Sequence, residues 1–375
     1  MRLRILHLIT RLPVGGAERL LVDIARGLDP QRFTSIACCI QDRGELAAEL
    51  EASGIAVHSL DRMRTKRFDW RAIGDLARLM REQRIDVVHS HLYHANLYGR
   101  LAAWRARVPA VATVHNTYAR RKLHRELLNR WLAHMSARVI AVSEDVRSDL
   151  MRYDGIPAQK IVVIHNGIDV GRVQTALTRR EARARLGLAD EAIVLGCVAR
   201  LEEQKGHRFL LEALARLNDP ARGAARFRVV LVGDGRLRAE LEQRAAGLGV
   251  AAWTMFLGTR HDVPDILKAL DICVMPSLWE GLSVAMLEAM AASLPLVISD
   301  VSGVSQVIGD NEYGIKVPVG DVPALAQTIR ALADAPQRRA ALGAAARQRV
   351  LAKFSAQAML SELSRLYEEV SSRRS

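Results

Sequence analysis

Short apolar runs that show no hydrophobic–polar alternation recur along this chain, each followed by a longer stretch with helical periodicity. Strands of that kind are buried on both faces, as in a parallel sheet covered by helices on either side. In the first half the runs are Leu3–Ile9, Thr34–Ile40, Ile55–Ser59, Asp86–His89, Ala110–His115, Val139–Val142 and Ile161–Ile164. Amphipathic segments such as Ala17–Leu28, Arg71–Arg84 and Leu123–Met135 separate them. Residues 166–180 lack periodicity and open on the turn signal Asn166-Gly167. The pattern then starts again, with strands at Ala192–Val198, Arg228–Val232, Thr254–Leu257, Ile272–Met275 and Leu296–Ser299 and helices that include Gly206–Leu217, Leu237–Ala246 and Leu282–Ala291. Beyond Asp321 the periodicity is helical throughout, over Leu325–Ala333, Arg338–Lys353 and Ala356–Val370. A chain of 375 residues that repeats its own order is expected to form two doubly wound α/β domains. Ligands of such folds bind outside the carboxyl ends of the strands, so function is sought in the loops that leave them.

Three of those loops carry chemistry. The first strand runs into Pro13-Val14-Gly15-Gly16-Ala17-Glu18. Paired glycines there let backbone approach a ligand, with a helix N-terminus beyond to hold an anion, and a plain tight turn gives the same residues. The spacing is not that of the dinucleotide fingerprint, and no acidic residue is evident about 20 residues on, which argues against a dehydrogenase. The strand that opens the second half leads to Arg200 and Lys205, cations where a diphosphate would need them. The third loop, Pro276-Ser277-Leu278-Trp279-Glu280-Gly281-Leu282-Ser283, precedes a helix that also holds Glu288. With Gly281 opening that helix, Glu288 lies about two turns along it and the amides after Glu280 remain available as donors. Two carboxylates among Leu, Val, Met and Ala must face a polar cavity or carry a large desolvation penalty.

The pair Glu280-x7-Glu288, with Arg200, Lys205 and Gly15-Gly16 upstream, resembles the GT4 family of retaining glycosyltransferases with the GT-B fold. Further matches are Val114-His115-Asn116, Val142-Ser143-Glu144, Asn166-Gly167-Ile168-Asp169, Val232-Gly233-Asp234-Gly235 and Phe256-Leu257-Gly258, in the family's order over nearly the whole chain. The resemblance implies two Rossmann-like domains facing across a cleft. Residues 1–170 would bind the acceptor and residues 171–355 the nucleotide-sugar donor, with a last helix at about 356–373 packing back on the first domain. It further implies that Glu280 contacts the donor sugar hydroxyls, Glu288 the ribose, and Arg200 and Lys205 the diphosphate. Gly281, Leu282 and Ser283 would offer amides to phosphate or sugar oxygens, Gly15 and Gly16 would face the donor phosphates, and His115 would point at the transferred sugar. One departure stands out: where relatives often have Gly-Gly and a glutamate, this chain has Val301-Ser302-Gly303-Val304-Ser305-Gln306.

The implied reaction is hexosyl transfer with retention from a UDP- or GDP-sugar to a glycan or lipid-linked acceptor, in the assembly of cell-surface polysaccharide or glycoconjugate. The leaving diphosphate would be stabilised electrostatically, with no covalent nucleophile. No Asp-x-Asp pair occurs, so activity without a metal or other cofactor is expected. The competing reading on the same fold is a nucleotide-sugar 2-epimerase.

The net charge of +13 also fits a nucleic-acid-binding protein, but aromatics make up only 5% of the chain and do not interleave with the basic residues. His89, His91 and His94 have no nearby cysteine or acid to complete a metal site. Cys38, Cys39, Cys197 and Cys273 sit singly or adjacent within apolar runs, the usage of small buried side chains in a reducing compartment. With too short an N-terminal apolar stretch for a signal peptide, a cytoplasmic location follows. The basic segment Arg120-Arg121-Lys122-Leu123-His124-Arg125 leads into a stripe of Leu123, Leu127, Trp131 and Met135. That stripe either packs on the first sheet or meets the edge of an anionic membrane.

Overall fold

The computed structural model describes residues 2–63, 65, 68–116, 123–218 and 226–372. It divides into two compact units, residues 1–168 with 356–375, and residues 169–355.

The first unit is built on a seven-stranded sheet of order β3-β2-β1-β4-β5-β6-β7. The strands are β1 (Leu3–Ile9), β2 (Phe33–Cys39), β3 (Ala56–Ser59), β4 (Val87–His91), β5 (Ala110–Val114), β6 (Arg138–Ala141) and β7 (Ile161–Val163), all paired in parallel. The order reverses between β1 and β4, the position where a doubly wound sheet opens a crevice. The helix Ala356–Ser372 completes this unit: Met359, Leu363, Leu366, Tyr367 and Val370 join Ile5, Leu20, Ile24, Val87, Val111 and Ile140 in one buried cluster. The Ala356 amide donates to the Ile168 carbonyl at 2.8 Å, which fixes where that helix starts.

The second unit repeats the scheme with six parallel strands in the order β10-β9-β8-β11-β12-β13. They are β8 (Ile193–Val198), β9 (Phe227–Val232), β10 (Thr254–Phe256), β11 (Ile272–Met275), β12 (Leu296–Ser299) and β13 (Ile315–Val317). A buried ion pair ties its first helix, Arg179–Arg185, to the sheet. Arg183 is 1% exposed, reaches Asp271 at 2.6 Å, and donates to the carbonyls of Ala189, Asp190, Ala192 and Ala269. All four cysteines are buried and free.

Beyond shifts of a residue or two at element ends, the sequence reading and the structure differ in the following ways. Strand β4 runs on to His91, because Ser90 and His91 are buried and pair with Ala112 and Thr113 of β5. The edge strand β13 has only three residues, too few to leave a pattern. The helix after Glu280 starts at Val284, not at Gly281 or Leu282: Ser283 is its N-cap and accepts from the Met286 amide, so Glu288 lies little more than one turn along. Leu127 and Trp131 are 54% and 51% exposed, so they do not pack on the sheet; Leu132 and Ala133 of the same helix are buried instead. Arg120, Arg121 and Lys122 lie outside the described residues. Among the described residues no helix is long and apolar enough to cross a membrane.

Candidate active site

In the second unit the loops leaving β8 and β11 are stitched together. A turn of 3-10 helix at Glu203–Lys205 ends on Gly206, whose φ of +62° suits only glycine without strain. A Cβ at Gly206 would sit 2.0 Å from the Pro276 carbonyl oxygen, so the two backbones meet there. The Leu278 amide donates to the Gln204 carbonyl at 2.8 Å, and Gln204 Nε2 donates to the Trp279 carbonyl at 2.8 Å. These contacts place Lys205 Nζ 2.5 Å from Glu280 Oε1. Ser277 Oγ donates to the same oxygen at 2.9 Å. Glu280 is only 3% exposed, so its charge is held by a cation and a hydroxyl rather than by water.

The other residues of the second unit surround this clasp in different ways. Arg200 is exposed on the loop after β8. That loop is held from behind, since the Leu201 amide donates to the Asp234 carbonyl at 3.0 Å and the Gly233 amide to the Gly258 carbonyl at 2.8 Å. Gly281 lies under Gly303, where φ is +79° and a Cβ would fall 1.5 Å from the Gly281 carbonyl oxygen. Leu282 is buried and Ser283 is spent on capping. Glu288 is not part of the clasp; it faces Arg172, with Nη2 at 3.7 Å from Oε1. Gln306 is half-buried in the short helix Ser305–Ile308, and its backbone carbonyl accepts from Arg349 at 2.9 Å.

In the first unit, Gly15 and Gly16 stand where β1 gives way to the helix Gly16–Gly27. Gly15 has φ of −169°, extended backbone that any residue adopts. His115 follows β5 and is 9% exposed. With Tyr93, Asn96, Arg100, Asn129 and Asp154 it lines a pocket of about 170 Å³. His91 Nδ1 lies 3.2 Å from His115 Nε2, and the His89 ring centroid is 4.1 Å from that of His91. Burial lowers the pKa of His115 to about 4 and that of His7 to about 3, and holds His89 and His91 well below the ordinary histidine value. All four are therefore neutral at pH 7.

His94 lies outside this group; His7 of β1 joins it instead, in register with His89. Ring nitrogens of His7, His89 and His91 come within 4.8 Å of one another. Both nitrogens of His89 are already engaged, Nδ1 with the Tyr367 hydroxyl at 2.6 Å and Nε2 with Thr113 Oγ1 at 2.7 Å.

Residues 14–172 match the family described as Glycosyltransferase Family 4, and residues 192–335 match Glycosyl transferases group 1. The chain is 27% identical over 346 residues to the UDP-Gal:alpha-D-GlcNAc-diphosphoundecaprenol alpha-1,3-galactosyltransferase of Escherichia coli, with 89% of this chain and 88% of that one covered. It is 30% identical over 312 residues to EpsF of Bacillus subtilis (strain 168), covering 79% of each. The chain belongs to glycosyltransferase family 4.

This glycosyltransferase also shares its fold with HepE of Anabaena, solved in complex with UDP and glucose: the TM-score is 0.88 at 23% identity, over 98% of this chain and 100% of that one. The fold is GT-B, with two Rossmann-like α/β units, and the protein is an enzyme of glycosyl transfer. Sequence reasoning picked out Lys205 and Glu280 separately and missed what joins them. Ser277 and Gln204 were unremarkable polar residues, and Gly206 was read only as part of a helix. The signal available was the glycine after Lys205, a residue type that marks close backbone approach.

Proposed function

We propose that this glycosyltransferase moves a hexose-type sugar, with retention and without a metal, from a UDP- or GDP-sugar to a glycan or lipid-linked acceptor in cell-surface polysaccharide or glycoconjugate assembly. The observation that carries the reading is the clasp between half-buried Lys205 and buried Glu280 at the carboxyl ends of β8 and β11. Such a site presents a fixed cation to a diphosphate and a fixed carboxylate to sugar hydroxyls. Arg200, exposed on the same loop, supplies the second positive charge for the leaving group. Glu288 takes the ribose hydroxyls, exchanging its long contact with Arg172 for them. The amides of Gly281, Leu282 and Ser283 serve phosphate and sugar oxygens, Gly15 and Gly16 line the phosphate side, and His115 meets the transferred sugar. As the glycosidic bond breaks, charge gathers on the departing phosphate oxygen, which takes the acceptor's proton on the same face.

The relatives named above support the donor class, and the Escherichia coli enzyme's name supports a lipid-linked acceptor. The absence of Asp-x-Asp from the sequence supports metal independence. Exposed Leu127 and Trp131, beside Arg130, support peripheral contact with an anionic membrane from the cytoplasmic side.

A panel of UDP- and GDP-sugars, incubated with and without EDTA, tests the reading through release of free nucleotide. Slow release from one donor, indifferent to EDTA and accelerated by a glycan or lipid-linked acceptor, is the expected result. Loss of activity in EDTA and its return with Mn²⁺ would overturn metal independence. Conversion of the donor to its C2 epimer would replace transfer by epimerisation.

A further inference from the structure

Strand pairing brings two histidines of the first unit together for a reason that begins in the register. His91 on β4 stands opposite Thr113 on β5. His115 is two residues beyond Thr113, and side chains two apart along an extended chain share a face. The rings therefore meet just past the ends of both strands, with His91 Nδ1 3.2 Å from His115 Nε2 and centroids 5.4 Å apart. We propose that His91 is a positioning residue that fixes the tautomer of His115, so that His115 presents Nδ1–H to the sugar. The proposal rests on the reading above that His115 meets the transferred sugar.

Since both rings are buried and neutral, a single proton bridges the pair, and two arrangements are open. If His115 Nε2 carried it, His91 would hold its own proton on Nε2. That atom is buried and, among the described residues, has no hydrogen-bond partner. A buried N–H without an acceptor is the rarer and costlier orphan; an unused lone pair is better tolerated. The preferred arrangement is therefore His91 Nδ1–H donating to His115 Nε2, which leaves the orphan on His91 a lone pair. It also leaves His115 with its proton on Nδ1.

The polar groups beside the pair favour the same assignment. The neighbouring His89 is held by the Tyr367 hydroxyl and Thr113 Oγ1, so neither of its nitrogens competes for His91. The carbonyl of Thr113, opposite His91 on the facing strand, already accepts from Asn96 Nδ2 at 2.8 Å. Asn96 in turn accepts from Ser90 Oγ at 2.8 Å. Metal ligation by the same histidines is a weaker reading, because it would have to break one of the two bonds of His89.

The test is the tautomer itself. Long-range nitrogen–proton NMR of the full chain labelled with nitrogen-15 histidine, with His115→Phe as the assignment control, is expected to show His115 protonated on Nδ1 alone. His91→Phe keeps a ring of similar size without the donor. It should mix the tautomers and lower kcat about tenfold with the donor KM unchanged, since the lost bond orients without binding. His91→Asn restores an N–H near the position of Nδ1 and should recover most of that loss. Finding His115 protonated on Nε2, or an unchanged kcat in His91→Phe, overturns the proposal. If His91→Phe does not fold, the tautomer in the unmodified protein decides alone. Wild-type turnover in His115→Phe would instead remove His115 from the reaction while leaving the tautomer assignment standing, so the two readings fail separately.

Discussion

Both units wind their sheets in the same order, yet they bury opposite kinds of polar group near the strand ends. The second unit holds a full charge pair, Lys205 and Glu280, 2.5 Å apart and steadied by Ser277. The first holds His7, His89, His91 and His115, all deprived of charge by burial. An ion pair keeps its geometry over a wide pH range but depends on having both partners. A set of neutral imidazoles keeps its arrangement only while the solution leaves it unprotonated. The same scaffold therefore carries one site that rests on a charge pair and another that is vulnerable to acid.

Acid should separate the units most strongly. Each of these histidines has a folded pKa below the unfolded value, so its contribution is complete above about pH 6.5 and is lost as pH falls towards the folded value. Between pH 7 and 5 that is about 2 kcal/mol each for His7 and His115, and His89 and His91 act in the same direction. Asp154, raised to about 6 by burial, works the other way, because its folded form takes up a proton first and gains stability as pH falls. The first unit therefore loses stability on balance, with four histidines acting against one aspartate. The second unit has His207, lowered to about 4, and loses about 2 kcal/mol. Hydrogen exchange resolved by unit, corrected for intrinsic rates, should show the first unit opening first; equal loss in both would erase the contrast.

Removing one partner of the clasp comes next. Lys205→Ala takes the cation away from the buried Glu280 carboxylate and should cost about 3–5 kcal/mol, with turnover down more than about a hundredfold. Adding Glu280→Gln should return much of the stability, read as a thermal midpoint, and none of the activity. If stability stays low in the double variant, the charge pair is not what the loops depend on. Arg200→Ala removes an exposed cation, so it should leave the midpoint alone and slow nucleotide release at least tenfold, a loss of about 1.5–3 kcal/mol. The smallest effect is expected from Ser277→Ala, which removes one hydroxyl from a carboxylate still paired with Lys205. A change of about threefold to tenfold in kcat with an unaltered fold would rank Ser277 below Lys205.

The repeated βα order was legible because buried parallel strands leave unbroken apolar runs, and β1, β11 and β12 begin and end where those runs do. Elements that break this rule were harder to see. His91 continued a strand that its polarity seemed to end, and β13 was too short to register. At the site, Arg200, Lys205, Glu280 and Glu288 stood out by type and place. Their grouping did not: Lys205 and Glu280 are 75 residues apart, and only the close approach at Gly206 and Pro276 shows that they meet. The histidine grouping was hidden for the same reason. His94 lies near His91 in sequence but was replaced by His7, which the β1–β4 register sets beside His89. Contacts made across strands have no periodicity along the chain that could announce them.

The helix Ala356–Ser372 has a consequence for how the protein is made. Residues 169–355 are contiguous, and everything their core requires has left the ribosome once that stretch is synthesised. The unit begun first must wait. Its sheet is complete at Val163, but Ile5, Val87, Val111 and Ile140 stay partly uncovered until Met359, Leu363, Leu366 and Tyr367 emerge. A nascent chain halted before residue 356 would thus carry a finished second unit and an open apolar seam on the first, the kind of surface that chaperones hold and that premature termination would expose.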